Sequence, residues 1–253
     1  MRVSKIIQYF PTSFQDLIRK KYYAVKFKKA DIQEEKELVL LSKLIRKGDV
    51  LADIGANYGL YTKFLSMFAG ENGQVHSFEP IAKTFTVLNN NIQTLALKNV
   101  RAHHCALSDS DGKATMEVPS YSDGGENLYE ARISESTEPS SEVVHLSVFD
   151  ELMGPDTSFH FIKCDVEGHE INVLKGAKEH LKNDQPLLLI EINGGIKKEN
   201  ENAQVILSFL SSFDYSPYKI KDGRLVAVNE PDNYFNYFFL TPAHEKEFSS
   251  LII

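Results

Sequence analysis

The sequence predicts an α/β fold in which a mostly parallel β-sheet is flanked by helices. From residue 31 onward, strand-like apolar runs alternate with segments whose apolar residues recur at helical spacing. The first predicted strand also ends in a glycine-rich turn that leads directly into a helix. At 253 residues, the chain is long enough for one large domain of this class.

The first half of the alternation contains three helices and three strands. In each helix the apolar residues lie three and four positions apart, which places them on one face. Gly48 is suited to end the first helix, and Pro80 is suited to open the third. The predicted elements are a helix at 31–47, a strand at 49–54, a helix from residue 60, a strand at 74–78, a helix after residue 80 and a strand at 100–106.

The alternation is interrupted between residues 107 and 157. Short predicted strands at 114–118 and 142–146 flank a polar stretch, residues 119–141, which is rich in Ser, Gly and Glu. This stretch is too long for a routine connection, so we interpret it as a lid over a site or a mobile insertion. Its candidate substrate contacts are Tyr121, Asn127, Tyr129 and Arg132. Regular structure resumes with strands at 159–165, 186–192, 215–220, 224–228 and 234–240, and with helices after the first two.

The charge distribution sets residues 1–30 apart from the rest of the chain. They contain eight Lys or Arg residues and one acid, Asp16, although the whole chain carries −7. That net charge argues against a general nucleic-acid-binding protein. We interpret residues 1–30 as a basic extension of a domain spanning 31–253. The favoured expectation is a surface helix packed on the acidic body, and the alternative is weak contact with an anionic membrane or an acidic partner.

Neither the cysteines nor the apolar runs indicate an extracellular or membrane protein. Cys105 and Cys164 fall in predicted strands that the sheet order given below separates by three positions, too far apart for a disulfide. No apolar run approaches the length that spans a bilayer, and no signal-peptide core is evident. The expected location is therefore cytoplasmic.

The glycine-rich turn has the spacing Asp53-x-Gly55-x-Asn57-x-Gly59. It lies at the crevice where open α/β sheets bind nucleotides. The spacing differs from the GxGxxG pattern that places a dinucleotide pyrophosphate at a helix N-terminus. Asp53 could bind an ammonium group, directly or through water. These features favour S-adenosylmethionine over a dinucleotide as the cofactor.

An acidic residue, Glu79, ends the second predicted strand and precedes Pro80. A carboxylate at this distance from the loop can accept hydrogen bonds from both hydroxyls of a ribose. It would repel a 2′-phosphate, which argues against NADP. The alternative is that Asp53 and Gly55 form only a tight turn and that Glu79 caps the following helix.

With these motifs in place, the sequence resembles the FkbM-type methyltransferases, a branch of the class I S-adenosylmethionine-dependent fold. The resemblance implies a Rossmann-like, seven-stranded sheet in the order 3-2-1-4-5-7-6, with strand 7 antiparallel, and methyl transfer usually to a hydroxyl oxygen. One departure is Phe149-Asp150, where the family commonly has Leu-Asp. The matching segments are 53–62 (DIGANYGLYT), 78–80 (FEP), 91–92 (NI), 106–109 (ALSD), 162–170 (IKCDVEGHE), 173–177 (VLKGA) and Glu191.

Together, the loop, the strand-terminal acid and the resemblance predict a cofactor site. Within it, Ser108 or Asp109 could bind the exocyclic amine of adenine, or the two residues could form only a turn. The predicted cofactor-binding residues are Asp53, Gly55, Asn57, Gly59, Tyr61, Thr62, Glu79, Pro80, Ser108, Asp109 and Asp165.

The predicted chemical site follows the fourth strand of the sheet, where Asp165, Glu167, His169 and Glu170 lie within six residues. Methyl transfer to a hydroxyl requires alignment of the reactants and removal of a proton or polarisation of the oxygen. Glu167 or His169 could be the base, and Asp165 could position cofactor or acceptor. Alternatively, Asp165 and Gly168 serve only strand-to-helix geometry, and Glu170 is a first-turn helix acid.

A divalent metal is a further option, because Asp165, Glu191 and Asn193 offer oxygen ligands suited to Mg²⁺ or Ca²⁺, although no ligand pattern requires one. The Asn/Asp-Pro-Pro-Tyr/Phe signature of many amine-methylating enzymes is absent after the fourth strand. The expected function is therefore O-methylation of a small molecule or glycan. The alternatives are an NAD-dependent oxidoreductase and a non-enzymatic binding protein on the same fold.

Overall fold

The structure is a computed structural model that describes residues 12–119, 127–128, 131–134 and 141–253. The helices are α1 (Thr12–Lys29), α2 (Lys36–Leu44), α3 (Leu60–Ala69), α4 (Ala82–Thr94), α5 (Phe149–Met153), α6 (Glu170–Gly176), α7 (Lys178–Asn183), α8 (Glu201–Ser211) and α9 (Pro242–Glu247). The strands are β1 (Val50–Ile54), β2 (Gln74–Phe78), β3 (Val100–His103), β4 (Ala106–Ser108), β5 (Gly112–Glu117), β6 (Arg132–Ser134), β7 (Glu142–Val148), β8 (Phe161–Cys164), β9 (Leu187–Glu191), β10 (Ser216–Lys221), β11 (Arg224–Ala227) and β12 (Asn236–Leu240).

The main sheet has the strand order β3-β2-β1-β8-β9-β12-β10-β11. The five strands from β3 to β9 are parallel, and β12 runs antiparallel to both of its neighbours, β9 and β10. The predicted α/β class and the predicted order of seven strands are therefore confirmed. The sheet has eight strands rather than seven, because β11 pairs antiparallel with β10 at the edge.

Both faces of the sheet are covered, as parallel strands require. Successive residues of a strand point to opposite faces, so Leu51 and Ala52 of β1 enter different apolar clusters. One cluster packs the sheet against α6 and α8, and the other packs it against α2 and α3. This burial fixes the positions of the strand ends from which the site is built.

A second sheet, β4-β7-β5-β6, interrupts the alternation. The sequence predicts one strand over 100–106, but the chain leaves the main sheet after His103. Ala106 then pairs in parallel with Leu146 of β7. Cys105 consequently lies between strands and not within one. It is buried, as is Cys164, and both are free thiols.

The N-terminal helix α1 packs against α4, in agreement with the favoured expectation of a helix on the body. The helix predicted over 31–47 is wrong in its bounds. Asp31 caps a single 3-10 turn, Ile32–Glu34, and Glu35 is extended, so α2 begins only at Lys36. In the part of the chain that the structure describes, no helix is long and apolar enough to cross a membrane.

Candidate active site

A cavity of about 490 Å³ opens at the carboxyl ends of β1, β2 and β8. This is the edge where open α/β sheets bind ligands, and the volume falls in the range of small-molecule sites, roughly 300–1,000 Å³. The predicted residues that line it are Asp53, Gly55, Asn57, Tyr61, Glu79, Pro80, Asp165, Glu167, His169 and Glu191. The predicted residues outside its lining are Gly59, Thr62, Ser108, Asp109 and Asn193.

The two glycines of the loop both have positive φ and close neighbours within the protein. Gly55 has φ +77°, and a Cβ there would lie 1.8 Å from the backbone oxygen of Asp165. Gly59 starts α3 with φ +94°, and a Cβ there would lie 2.7 Å from Leu88. At Gly55 the close neighbour is the backbone of Asp165, which follows β8. Because Gly55 has no side chain, the ends of β1 and β8 can lie this close together.

Asp53 is fully buried at the end of β1. Its Oδ2 accepts a hydrogen bond of 2.6 Å from the Thr62 hydroxyl, which also lies 3.0 Å from that of Ser77. Thr62 therefore fixes the orientation of the Asp53 carboxylate. Burial raises the pKa of Asp53, and the nearby ammonium of Lys163 opposes that rise. Oδ1 of Asp53 accepts no hydrogen bond from any described residue, which leaves one buried acceptor for a donor outside the protein.

Glu79 is also buried, and its carboxylate is fixed by two backbone amides. Oε1 accepts from Ile81 N at 2.9 Å, and Oε2 accepts from Asn57 N at 3.0 Å. Burial raises the pKa of Glu79 to about 8, although these two hydrogen bonds favour the ionised form. The loop and the end of β2 thus hold one carboxylate in a single orientation at the cavity wall.

Lys163 is a charged residue at the centre of the site that sequence reasoning missed. It is buried in β8, directly beside Asp53 of β1 in the strand register. Its Nζ donates to Asp165 Oδ2 at 2.8 Å and lies 4.8 Å from the centre of the Tyr61 ring. Burial alone would lower the pKa of Lys163, but the surrounding carboxylates, first of all Asp165, raise it. A lysine in the otherwise apolar strand Phe161–Cys164 was the available signal.

Three carboxylates meet beside Lys163, since oxygens of Asp165, Glu167 and Glu191 all lie within 4.8 Å of one another. Burial, and then the charge of Asp165, raises the pKa of Glu191 to about 7. Asn193 donates from Nδ2 to Glu167 at 2.8 Å. Glu167 therefore takes the place in this cluster that the metal hypothesis gave to Asn193. Lys163 already supplies a positive charge to the cluster, so the geometry adds no support for a metal ion.

His169 lines the cavity and connects it to the loop after β4. Its Nε2 lies 2.9 Å from the Ser108 hydroxyl, and Ser108 also donates to Asp109 at 3.3 Å. Burial lowers the pKa of His169, so the imidazole is neutral at pH 7. Glu170 accepts from Gly168 N at 2.8 Å, which fits the alternative of a purely structural role for Glu170.

Residues from the N-terminal part of the chain and from segment 119–141 also line the cavity. Lys26 and Phe27 come from α1, and Glu35 precedes α2. Of the candidate contacts in 119–141, Asn127 is buried, whereas Arg132 is exposed and pairs with Glu117 at 3.4 Å. Tyr121 and Tyr129 lie outside the described residues. Among the described residues of this segment, Leu128, Ala131 and Ile133 line the cavity.

The stretch that contains most of these side chains also matches a known protein family. The family model described as the methyltransferase FkbM domain matches residues 53–217. The chain belongs to this family. The matched range includes the loop, Glu79, Lys163 and the three clustered carboxylates, but it excludes α1 and Glu35.

Individual relatives agree with this assignment. The hexuronic acid methyltransferase AglP of Haloferax volcanii is 31% identical over 169 residues, which cover 66% of this chain and 65% of that protein. Methyltransferase 1 of Beauveria bassiana is 25% identical over 143 residues, covering 50% of this chain and 57% of that protein. This chain therefore spans less than two thirds of the length of either relative.

Among solved structures, the methyltransferase FkbM from Methylobacillus flagellatus KT superposes with a TM-score of 0.54 at 18% identity. The superposition covers 79% of this chain and 46% of that chain. At this identity the similarity establishes a shared fold.

Proposed function

We propose that this protein is an S-adenosylmethionine-dependent O-methyltransferase that acts on a hydroxyl group of a small molecule or glycan. The observation that carries the proposal is the arrangement of the cavity. Two buried carboxylates, Asp53 and Glu79, lie at the cofactor loop, and the carboxylate cluster of Asp165, Glu167 and Glu191 lies next to them around Lys163. The family match supports methyl transfer, and the hexuronic acid in the name of the Haloferax volcanii relative supports an acceptor of the glycan class.

The cofactor loop fits the polar groups of S-adenosylmethionine. Oδ1 of Asp53 is a buried acceptor without a donor among the described residues, and an ammonium group or its bound water would satisfy it. Glu79 is held by Asn57 and Ile81 so that it can accept from two ribose hydroxyls without first losing side-chain freedom. When bound, the cofactor supplies a methyl group that is already activated on a sulfonium.

The remaining task of the protein is to align an acceptor hydroxyl and to receive its proton. Burial and the charge of Asp165 raise the pKa of Glu191 to about 7, so this carboxylate can take up a proton near neutral pH. A base whose pKa lies near the working pH is the most effective one. We therefore assign Glu191 as the base, and we assign Asp165 and Glu167 to orient the acceptor. His169, which is neutral and hydrogen-bonded to Ser108, is the second candidate base.

The test is transfer of labelled methyl from S-adenosylmethionine to a panel of neutral hexoses, hexuronic acids and phenols, with product analysis by mass spectrometry. We expect an O-methyl product from the wild-type chain. Glu191→Gln should reduce kcat by about 100-fold, the usual effect of losing a general base. The control is Glu199→Gln, because Glu199 is a solvent-exposed acid outside the cavity. Transfer exclusively to the carboxylate of the hexuronic acids would refute the hydroxyl acceptor, and equal rates for the two variants would refute the assigned base.

A further inference from the structure

The wall of the cavity is divided between an apolar region and the carboxylate cluster. Phe27, Ile81, Met116, Leu128 and Ala131 belong to one apolar cluster and all line the cavity. The apolar region begins next to Glu79, because the Ile81 amide donates to that carboxylate. Glu79 follows β2, Asp53 lies in the neighbouring β1 and Lys163 lies in β8 beyond it, so the charged groups extend from Glu79 across the sheet. The site thus changes from apolar to highly charged along its length.

This order matches the order of groups in the proposed cofactor. The ribose of S-adenosylmethionine joins a flat, uncharged base on one side to a charged amino-acid portion on the other. If Glu79 binds the ribose, the base must lie against the apolar region, since the charged portion fits the end that contains Asp53 and Lys163. Phe27 presents a buried aromatic side chain, 3% exposed, in that region.

We propose that α1, which lies outside the matched family range, is part of the cofactor site and that Phe27 contacts the adenine base. This inference rests on the proposed function. It assigns Phe27 as a binding residue and Tyr23 as a positioning residue. Segment 53–217 alone would lack the part of the cavity wall that α1 supplies on the proposed adenine side.

The contact between α1 and the cofactor loop explains how the helix is held in place. The rings of Tyr23 and Tyr58 stack with centroids 3.9 Å apart and an interplanar angle of 24°. Tyr58 belongs to the loop itself, where its carbonyl accepts from the buried Asn91 amide at 2.8 Å. Its own amide donates to the side chain of Asn57, the residue whose backbone fixes Glu79. Docking of α1 and orientation of the ribose-binding carboxylate therefore depend on the same loop.

The experiment is calorimetric titration of the full chain with S-adenosylhomocysteine and, separately, with 5′-methylthioadenosine, which keeps the base and ribose but lacks the amino-acid portion. Phe27→Ala should raise both dissociation constants by the same factor, roughly 10- to 100-fold, because a lost aromatic contact with a base has that effect. Phe27→Tyr should restore binding to within a few-fold of wild type. Tyr23→Ala should weaken binding of both ligands by about tenfold or less.

The matched control is Val25→Ala, because Val25 lies on the same helix and is 55% exposed. It should bind both ligands as wild type does. A second readout uses the lysines of α1 as trypsin sites: S-adenosylhomocysteine should slow their cleavage in wild type and in Val25→Ala. Should Phe27→Ala fail to fold, Phe27→Leu and the protease protection of the wild type provide the same test.

The outcomes separate this inference from the proposed function. If the wild-type chain binds S-adenosylhomocysteine, but Phe27→Ala binds it as tightly as Val25→Ala does, α1 does not contact the base and the inference is overturned. An unequal effect of Phe27→Ala on the two ligands would also overturn the adenine contact. If the wild-type chain binds neither ligand, both the inference and the proposed function fail.

Discussion

Glu79 should make the cofactor-free protein less stable as pH rises. Its pKa in the folded state is about 8, against an ordinary value of 4.5. The folded state therefore holds this proton more tightly than the unfolded state does. The resulting stabilisation is fully present below about pH 4.5 and is lost as pH rises through about 8. The difference between the two values corresponds to a loss of about 5 kcal/mol.

The substitution Glu79→Gln removes this titration at the cost of one hydrogen bond. A glutamine oxygen can still accept from one backbone amide, but its NH₂ group cannot accept from the other, which costs about 1–3 kcal/mol. At pH 9 the variant should therefore be more stable than wild type by about 2–4 kcal/mol. Between pH 5 and pH 9 the difference in unfolding free energy between variant and wild type should change by about 4 kcal/mol in favour of the variant.

The assay is urea denaturation of the cofactor-free wild type and variant at intervals between pH 5 and pH 9. Comparing the two proteins at each pH cancels the contributions of all other titrating groups. Glu199→Gln is the control for replacing an acid by its amide at an exposed position. A pH-independent difference for Glu79→Gln would refute the assignment of a protonated, buried Glu79.

Three further substitutions test the rest of the site. Lys163→Met should lower the unfolding free energy by about 3 kcal/mol in urea denaturation, because it leaves the buried Asp53 and the partly buried Asp165 without the nearby cation. Exposed Lys178→Met should change it little, and equal effects would contradict the stabilising role of Lys163. Gly55→Ala should cost at least about 3 kcal/mol of stability and abolish S-adenosylhomocysteine binding. Gly223→Ala, at a similar φ of +72° but with open space around it, should cost about 1 kcal/mol, and thermal melts and calorimetry compare the two variants. The rate of methyl transfer by the wild type should rise with pH through about 7, because Glu191 must lose its proton to act as a base. This rise should be missing in Glu191→Gln. A variant whose rate still rises with pH would exclude Glu191 as the base.

The sheet order was implied by the resemblance to the FkbM-type methyltransferases, whereas the α/β class and the carboxylates at the cofactor loop could be predicted from the residues themselves. The latter two features depend on short-range patterns: apolar runs of strand length, glycines at a turn, and an acid at the end of the next strand. Because parallel strands end at one edge, Asp53, Glu79 and Asp165 could be placed together without knowledge of the structure.

The rest depended on contacts between distant segments. Lys163 acquires its role from the register that sets it beside Asp53 across β1 and β8, and no local pattern specifies that register. Phe27 follows helical spacing, but spacing alone does not say on which surface α1 packs. The second sheet was recognised only in part because β4 and β6 have three residues each, too few to show an alternating pattern.

The central claim, that the cavity binds S-adenosylmethionine, is tested most directly by isothermal titration of the purified chain with S-adenosylhomocysteine and, in parallel, with NAD. We predict binding of S-adenosylhomocysteine with a dissociation constant on the order of 1–10 μM, no binding of NAD, and marked weakening in Asp53→Ala. Binding of NAD alone would contradict the account in favour of an oxidoreductase, and binding of neither ligand would contradict it in favour of a non-enzymatic protein.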